Sequence, residues 1–199
     1  MDAPIINLCI QQGKTFEFAL RYAESRYNYC DIATVASLAP LRLTVPSHGI
    51  PDGWPITIQC VKRPAEMNGD YIATVIDTDT IEINDLVGSC WRHRWAAGGH
   101  VRFPVPQDIT GWSARAAFRR RIGDPVAVLT LHSDPGQNPD GLIIMDPAEH
   151  SFTLQLSDAV TAGLRPMCGM WDAEVIDPEG NVYALVDVSE FEITGEVTV

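Results

Sequence analysis

The sequence that decides the fold is Gln107-Asp-Ile-Thr-Gly-Trp-Ser-Ala-Arg-Ala-Ala-Phe-Arg119. Its apolar side chains occupy every second position after the turn: Trp112, Ala114, Ala116 and Phe118. The positions on the opposite side are Ser113, Arg115 and Arg119. Successive side chains of a strand point to opposite faces of the sheet, so a period of two indicates a strand with one buried face. The stretch therefore predicts a turn that leads into a half-buried strand.

The same alternation recurs along the chain, whereas helical patterns are weak. The alternating segments are Phe16–Tyr22, Phe152–Leu156, Trp171–Val175 and Phe191–Ile193. The turn signals that separate strands are Asp134-Pro-Gly136, Asp140-Gly141, Asp146-Pro147 and Asp177-Pro-Glu-Gly180. Ala19–Arg26 and Ser157–Leu164 are the longest helical candidates, and neither sustains an amphipathic pattern over three turns. We therefore expect an all-β fold, a sandwich or a barrel.

The middle of the chain is predicted to form a module of its own. It contains short strands such as Leu41–Val45 and Tyr71–Ile76, separated by turns such as His48-Gly-Ile-Pro-Asp-Gly53. A domain tolerates an insertion where the two chain ends lie close together on its surface. We therefore expect residues 1–27 and 102–199 to form one discontinuous β-sandwich and residues 28–101 to form an inserted small β-barrel.

Three short motifs of the outer segments resemble the N-terminal domain of phage baseplate upper proteins. They are Asp108-Ile-Thr-Gly111, Gly123-Asp124 and Glu196-Val-Thr198. That domain is an immunoglobulin-like β-sandwich that serves as an assembly module, so the resemblance implies this fold and a structural role. Ile109 stands where the family commonly has Leu, a change that packing should tolerate.

The inserted segment resembles a small β-barrel module that is common in phage tail and fibre proteins. That module shares a pattern with the first catalytic-cysteine half-domain of ubiquitin-activating enzymes. The matching pieces here are Ala39-Pro40, Met67-Asn68-Gly69, Asp79–Ile83 and Gly98-Gly99. In those enzymes the module does not carry the nucleophile, so the resemblance implies no activity.

Charge is distributed unevenly along the 199 residues. Residues 1–121 hold 13 Lys/Arg and 12 Asp/Glu, whereas residues 122–199 hold one basic residue, Arg165, and 14 acidic ones. An acidic surface argues against nucleic acid as a partner, because neutralisation of phosphates supplies most of that affinity. Two interpretations stay open. The acid keeps a β-rich protein soluble, or acidic and basic faces of adjacent subunits meet in an assembly.

Hydropathy indicates no membrane partner. No apolar run approaches the roughly 18–20 residues needed to cross a bilayer. The segment Met1–Asn7 has no basic region followed by an apolar one, so we expect no secretory signal. The protein is expected to be made in the host cytoplasm.

Motifs for catalysis, cofactors and metals are incomplete. The five cysteines are scattered and odd in number, which favours buried free thiols over disulfides or zinc ligation. Gln12-Gly-Lys-Thr15 lacks the first glycine of a phosphate loop and precedes a strand pattern. The histidines do not converge, and Ser89 lacks a nucleophile elbow. Asp134, Asn138 and Asp140 lack the full order of a calcium loop. We expect no catalytic residue, no cofactor and no metal, and therefore no enzyme.

The candidate residues for contact between subunits are basic and aromatic. Arg119, Arg120 and Arg121 form the one concentrated basic feature. They are interpreted either as a solvated strand end or as a contact for an acidic patch of a neighbouring subunit, at residues 134–149 or 172–192. Trp54 and Trp95 are the expected aromatic anchors, provided that the core does not use them. His93 and Trp95 lie in Trp91-Arg-His-Arg-Trp95, which is predicted to be a strand edge.

These features predict a non-enzymatic structural protein of a tailed-phage virion. It would be a tail or baseplate component that attaches fibres, with other virion proteins and a ring of its own copies as partners. A head decoration or a neck or collar protein is the structural alternative. A carbohydrate-binding accessory of the tail is the alternative of another class.

Overall fold

The computed structural model describes residues 3–137 and 139–196. Strand accounts for 52% of the chain and helix for 6%, which confirms the predicted all-β class, a β-sandwich with a barrel-like module. The chain divides into two compact units. The sandwich unit comprises Met1–Tyr22 and Asp108–Val199, and the barrel unit comprises Ala23–Gln107.

The described part of the chain contains fifteen strands, one short α-helix and two 3₁₀ turns. In chain order the strands are β1 (Leu8–Gln11), β2 (Phe16–Arg21), β3 (Ala23–Asp31), β4 (Thr34–Leu38), β5 (Leu41–Thr44), β6 (Trp54–Gln59), β7 (Gly69–Asp77), β8 (Thr80–Ile83), β9 (His100–Pro106), β10 (Ser113–Arg119), β11 (Leu129–His132), β12 (Gly141–Asp146), β13 (Ser151–Leu156), β14 (Met167–Ile176) and β15 (Val182–Thr194). The helix is α1 (Asp158–Gly163), and the 3₁₀ turns are Ala65–Met67 and Pro135–Gln137. No helix of the described residues is long and apolar enough to span a membrane.

The sandwich unit is one series of eight hydrogen-bonded strands around a single core. The strand order is β1-β15-β14-β10-β11-β12-β13-β2. Both ends of the series face that core, because Leu8 and Ile10 of β1 and Phe18 of β2 all pack in it. In β10, Ala116 and Phe118 are buried and Arg115 is exposed, so the alternation that predicted this strand is confirmed.

Aromatic rings occupy the centre of the sandwich core. The Phe118 and Trp171 rings are stacked with their centroids 5.3 Å apart, and Phe191 meets Phe118 edge-on at 5.2 Å. The buried Trp171 indole donates a hydrogen bond from Nε1 to the carbonyl oxygen of Ile6 at 2.9 Å. Because a buried indole N–H needs an acceptor, this bond also fixes the segment that precedes β1.

The chain leaves the sandwich after β2 and returns before β10. Strand β2 pairs antiparallel with β13, so that Phe18 lies opposite Leu154. The predicted sandwich ends after residue 27, whereas the structure places the boundary between Tyr22 and Ala23. Strand β3 is the reason: it pairs with β9, and both strands belong to the barrel unit. The chain returns to the sandwich between Gln107 and Asp108. The sequence had predicted this return earlier, between residues 101 and 102.

The barrel unit is a nearly closed sheet of seven strands. Their order is β3-β9-β6-β7-β8-β5-β4. Strands β5, β6, β8 and β9 supply most of the buried side chains, including Leu41, Ile58, Ile81 and Val101. Asn68 holds the start of β7, because its side chain bonds both the N–H and the carbonyl oxygen of Val61 at 2.9 Å. The unit thus has a core of its own.

One local prediction is wrong. Residues 91–99, which include His93, do not form the predicted strand edge and are irregular. The Trp91 ring packs over Gly88, where an added Cβ would lie 2.6 Å from the ring. Of the two helical candidates, part of Ser157–Leu164 forms the six-residue helix α1, and the Ser157 hydroxyl caps it by accepting from the Val160 N–H at 3.3 Å.

Candidate functional site

The three predicted arginines lie at the end of β10 and in the turn after it. Arg119 is the last residue of β10, and its Nη1 donates to the carbonyl oxygen of Asp124 at 2.7 Å. Arg120 and Arg121 are exposed. The Asp124 carboxylate accepts from the Arg121 backbone N–H at 3.2 Å, which closes the turn. The structure therefore anchors Arg119 within its own chain and leaves the other two arginines at the surface.

The turn after β10 also exposes two aliphatic side chains, and we call Arg120–Val126 the 120–126 loop. Ile122 is 74% exposed and Val126 is 75% exposed. Glycine at position 123 has a φ of +86°, a conformation that favours glycine and lets the chain reverse there. Two exposed aliphatic groups beside two arginines make this loop a candidate contact.

A cleft of about 550 Å³ adjoins this loop, and we call it the thiol cleft. Its lining includes Cys9 of β1, Cys168 of β14, Glu190 and Glu192 of β15, and Arg120. Glu192 lies between the two cysteines, because it pairs in register with Cys9 on one side and Cys168 on the other. Met170 is half-buried and supplies apolar floor beside the two thiols, whereas the side chains of Leu8 and Phe191 lie in the sandwich core beneath. The cleft thus combines an apolar floor with two carboxylates.

The acidic residues 172–174 lie beside arginines of the same chain. Arg115 Nε donates to Glu174 Oε2 at 2.8 Å across the β10–β14 pair. Burial raises the pKa of Asp172, and the neighbouring Glu174 raises it further, while Arg119 and Arg115 act in the opposite direction. Glu174 is therefore paired within its own subunit, so it is a poorer candidate for the predicted contact with another copy.

The two tryptophans proposed as anchors lie in or against the barrel core. Trp54 is 1% exposed, and its Nε1 donates to the carbonyl oxygen of Pro104 at 2.8 Å. The prediction that Trp54 is an exposed anchor is wrong, because the first residue of β6 points inward. Trp95 is half-buried, packs against the same core and donates from Nε1 to the carbonyl oxygen of Gly98 at 2.9 Å.

The barrel unit exposes other aromatic residues, which the sequence analysis missed. Tyr27 and Tyr29 of β3 are 43% and 59% exposed, and Ile72 of β7 is 59% exposed. We call these three residues the tyrosine face. A cleft of about 660 Å³ is lined by Tyr27, Ile72 and Arg102. The spacing of two residues between the tyrosines places both on one strand face, and this was the signal available in the sequence.

Polar groups fix the arginine of this cleft. The Arg102 guanidinium lies 4.6 Å from the centroid of the Tyr27 ring, a cation–π geometry. Its Nη2 donates to Thr57 Oγ1 at 3.3 Å, and Thr57 Oγ1 donates to Asp70 Oδ1 at 2.7 Å. The cleft therefore presents an aromatic ring, a cation and a carboxylate at one place.

The motifs that resembled cofactor or metal sites have structural roles. Gln12-Gly-Lys-Thr15 is a turn between β1 and β2, and Lys14 Nζ pairs with Glu196 Oε1 at 2.7 Å. Hydrogen bonds from the Gly136 N–H and the Gln137 side chain lower the pKa of Asp134. Asn138, the middle residue of the calcium candidate, lies outside the described residues. Within residues 3–137 and 139–196, no group of three or more His, Cys, Asp or Glu could hold a metal ion.

The expectation about the cysteines is corrected. All five cysteines are free, but Cys30 is half-buried and the other four are exposed, so they are not the buried thiols that were expected. His48 lies in the loop before β6 and is buried. Its Nδ1 accepts from the Ile50 N–H at 2.9 Å, and its Nε2 lies 3.0 Å from the carbonyl oxygen of Asp77. This histidine holds a turn together.

No protein-family model matches the chain, and no curated protein matches it either.

Proposed function

We propose that the chain is a non-enzymatic structural protein of a tailed-phage virion, an assembly adaptor of the tail or baseplate that attaches fibres. The observation that carries this proposal is that each unit exposes its own apolar cluster. The sandwich unit exposes Ile122 and Val126, and the barrel unit exposes Tyr27, Tyr29 and Ile72. An adaptor needs two separate contact surfaces, and exposed apolar clusters are the usual sites of protein contact.

Two further observations support a structural role. Charged side chains of the β10–β14 face are engaged within the chain, as in the Arg115–Glu174 ion pair. Each unit has its own buried core, which suits a rigid building block. Repetition of one modest interface by cyclic symmetry would convert such a block into a ring, provided that each contact buries roughly 1,200–2,000 Å². Other virion proteins would bind the remaining surface.

The location of the protein in purified particles tests the proposal. Particles would be purified from a strain that carries the chain with a small epitope tag, labelled with gold-coupled antibody and imaged. Label at the tail tip is the expected result. Label at a capsid vertex or at the neck would instead support the head decoration or collar alternative, and particles that lack the protein would contradict any virion role.

A carbohydrate-binding role in the tail is the second candidate, favoured by the cleft at the tyrosine face. Sugar rings pack on aromatic side chains and take hydrogen bonds from planar polar groups, and this cleft offers Tyr27, Arg102 and Asp70. A glycan array would test it with the full chain and with Tyr27→Ala. Binding that is lost in Tyr27→Ala but kept in Val87→Ala, a matched exposed residue, would favour this candidate. No binding by the unchanged chain would remove it.

A further inference from the structure

The 120–126 loop presents a small apolar knob with a basic border. Ile122 and Val126 are the two most exposed of the large aliphatic side chains in the described residues. Arg120 and Arg121 precede them directly and are exposed. The Asp124 carboxylate accepts from the Arg121 N–H, so the one acid of the loop is committed to its turn. The loop therefore fits a partner surface that is apolar at its centre and acidic at its edge.

The thiol cleft has this complementary character. Met170, with Cys9 and Cys168 beside it, supplies its apolar floor, and the flexible methionine side chain adapts to an irregular partner. Glu190 and Glu192 are exposed and line the same cleft. A knob bordered by arginines and a cleft bordered by glutamates attract each other, and this complementarity gives specificity to a contact.

We propose that the 120–126 loop of one copy docks in the thiol cleft of a second copy of this chain. Ile122 would contact the apolar floor, and Arg121 would pair with Glu192 or Glu190 at the edge. Ile122 does not line the cleft of its own subunit and is 74% exposed there, so its side chain is left for a second copy.

The positions of knob and cleft indicate how two copies pair. Arg120 belongs to both features, so they lie side by side on one surface. Two copies related by a two-fold axis can then make the contact twice, each giving its loop and receiving the other's. This pair would be the unit that the proposed ring repeats. The inference rests on the proposed function in that it names one partner of the adaptor.

Self-association of the purified full chain tests the docking. Sedimentation velocity over a range of concentrations is expected to show a reversible dimer. Ile122→Asp would place a charge on the apolar floor and weaken the dimer about tenfold or more. Val87→Asp, which adds the same charge at an exposed residue of the barrel unit outside the tyrosine face, is the control and should leave the dimer unchanged. A chain that stays monomeric, or a dimer that Ile122→Asp does not weaken, overturns the proposal.

A charge exchange tests the pairing at the edge. Arg121→Glu is expected to weaken the dimer, and Glu192→Arg in the same chain is expected to restore part of the affinity. Glu190→Arg would be combined with Arg121→Glu in the same way. If neither double variant recovers any affinity, the proposed contact between arginine and glutamate is contradicted.

The native thiols give a direct distance test. Ile122→Cys places a thiol on the knob, and mild oxidation is expected to link it to Cys168 or Cys9 of a second copy in a disulfide-bonded dimer. Val87→Cys, on an exposed residue of the barrel unit, is the control and should give no more dimer than the unchanged chain. Equal cross-linking of the two variants would overturn the docking.

The outcomes separate this inference from the proposed function. A monomeric chain that is still present in purified particles overturns the self-docking and leaves the adaptor role standing. A chain that dimerises through the 120–126 loop but is absent from particles supports the docking and contradicts the virion role.

Discussion

The sandwich unit and the barrel unit resemble each other inside and differ outside. Each buries one tryptophan completely, Trp171 and Trp54, and each indole donates to a backbone carbonyl oxygen. On the surface, the 120–126 loop of the sandwich unit presents aliphatic side chains next to arginines, whereas β3 of the barrel unit presents two tyrosines. The comparison teaches that the two units reach stability by the same means and offer different chemistry to partners, as the proposed adaptor requires.

The largest expected effect comes from the two buried tryptophans. Trp171→Ala and Trp54→Ala should each lower the free energy of unfolding by about 3–5 kcal/mol, because each leaves a cavity and an unpaired carbonyl oxygen. Urea unfolding followed by circular dichroism would measure both. Trp95→Ala is the control, since Trp95 is half-buried. If either variant loses no more free energy of unfolding than Trp95→Ala, the two cores do not depend on their tryptophans in the same way.

The next largest effect comes from breaking one ion pair in each unit. Glu82 of the barrel is buried and pairs with Arg42 at 2.5 Å, whereas Glu174 of the sandwich is more exposed and pairs with Arg115. Arg42→Ala would leave a buried carboxylate unpaired and cost roughly 1–3 kcal/mol. Arg115→Ala would cost about 0.2–1 kcal/mol, as exposed ion pairs do. Equal losses in unfolding experiments would show that burial does not separate these pairs.

Two glycines of the sandwich unit are expected to differ in how much stability an alanine costs. A Cβ at Gly169 would lie 2.3 Å from the carbonyl oxygen of Arg119, and 2.6 Å from the Phe191 ring. Gly169→Ala should therefore cost about 1–3 kcal/mol through overpacking. Gly123 has open space around it and a positive φ, so Gly123→Ala should cost roughly 1 kcal/mol through backbone strain alone. Thermal unfolding of both variants would rank them, and the reverse order would be a contradiction.

The smallest expected effects are changes in the pH dependence of stability, and they have opposite signs. Hydrogen bonds led by the Asn181 side chain lower the pKa of Asp177, so its stabilisation is present above the ordinary carboxyl pKa and is lost as the pH falls through the lowered value. Burial raises the pKa of Asp172, so stability falls as the pH rises from the ordinary value through the raised one.

Two asparagine variants measure these signs. Asp177→Asn should flatten the loss of stability on the acid side, and Asp172→Asn should stabilise the protein at neutral pH relative to low pH. Thermal unfolding across the acid range would record both profiles. Parallel profiles for the two variants would contradict the opposite shifts.

Alternation of apolar residues predicted the sandwich strands well. Strands β10, β13 and β14 bury every second side chain against one core, so a period of two was present in their sequence. Strand β3 was not predicted, because most of its side chains are exposed and its apolar residues do not alternate regularly. The boundary at Tyr22 depends on the pairing of β3 with β9, which is a long-range contact that local sequence does not encode.

The candidate contacts were predictable in part. Arg120 and Arg121 stand out as a basic run, and the structure leaves them exposed. Trp54 lies in phase with Ile56 and Ile58 of β6, so the alternation of apolar residues already indicated that its side chain is buried. Trp91 and Trp95 are spaced as in a strand, but packing over Gly88 and a hydrogen bond to Gly98 hold them in an irregular segment.

Cross-linking mass spectrometry on assembled particles tests the central claim, that each unit contacts a different partner. The adaptor account predicts links from the 120–126 loop to a second copy of the chain and links from the tyrosine face to another virion protein. Particles in which neither surface is linked to any virion protein would contradict it.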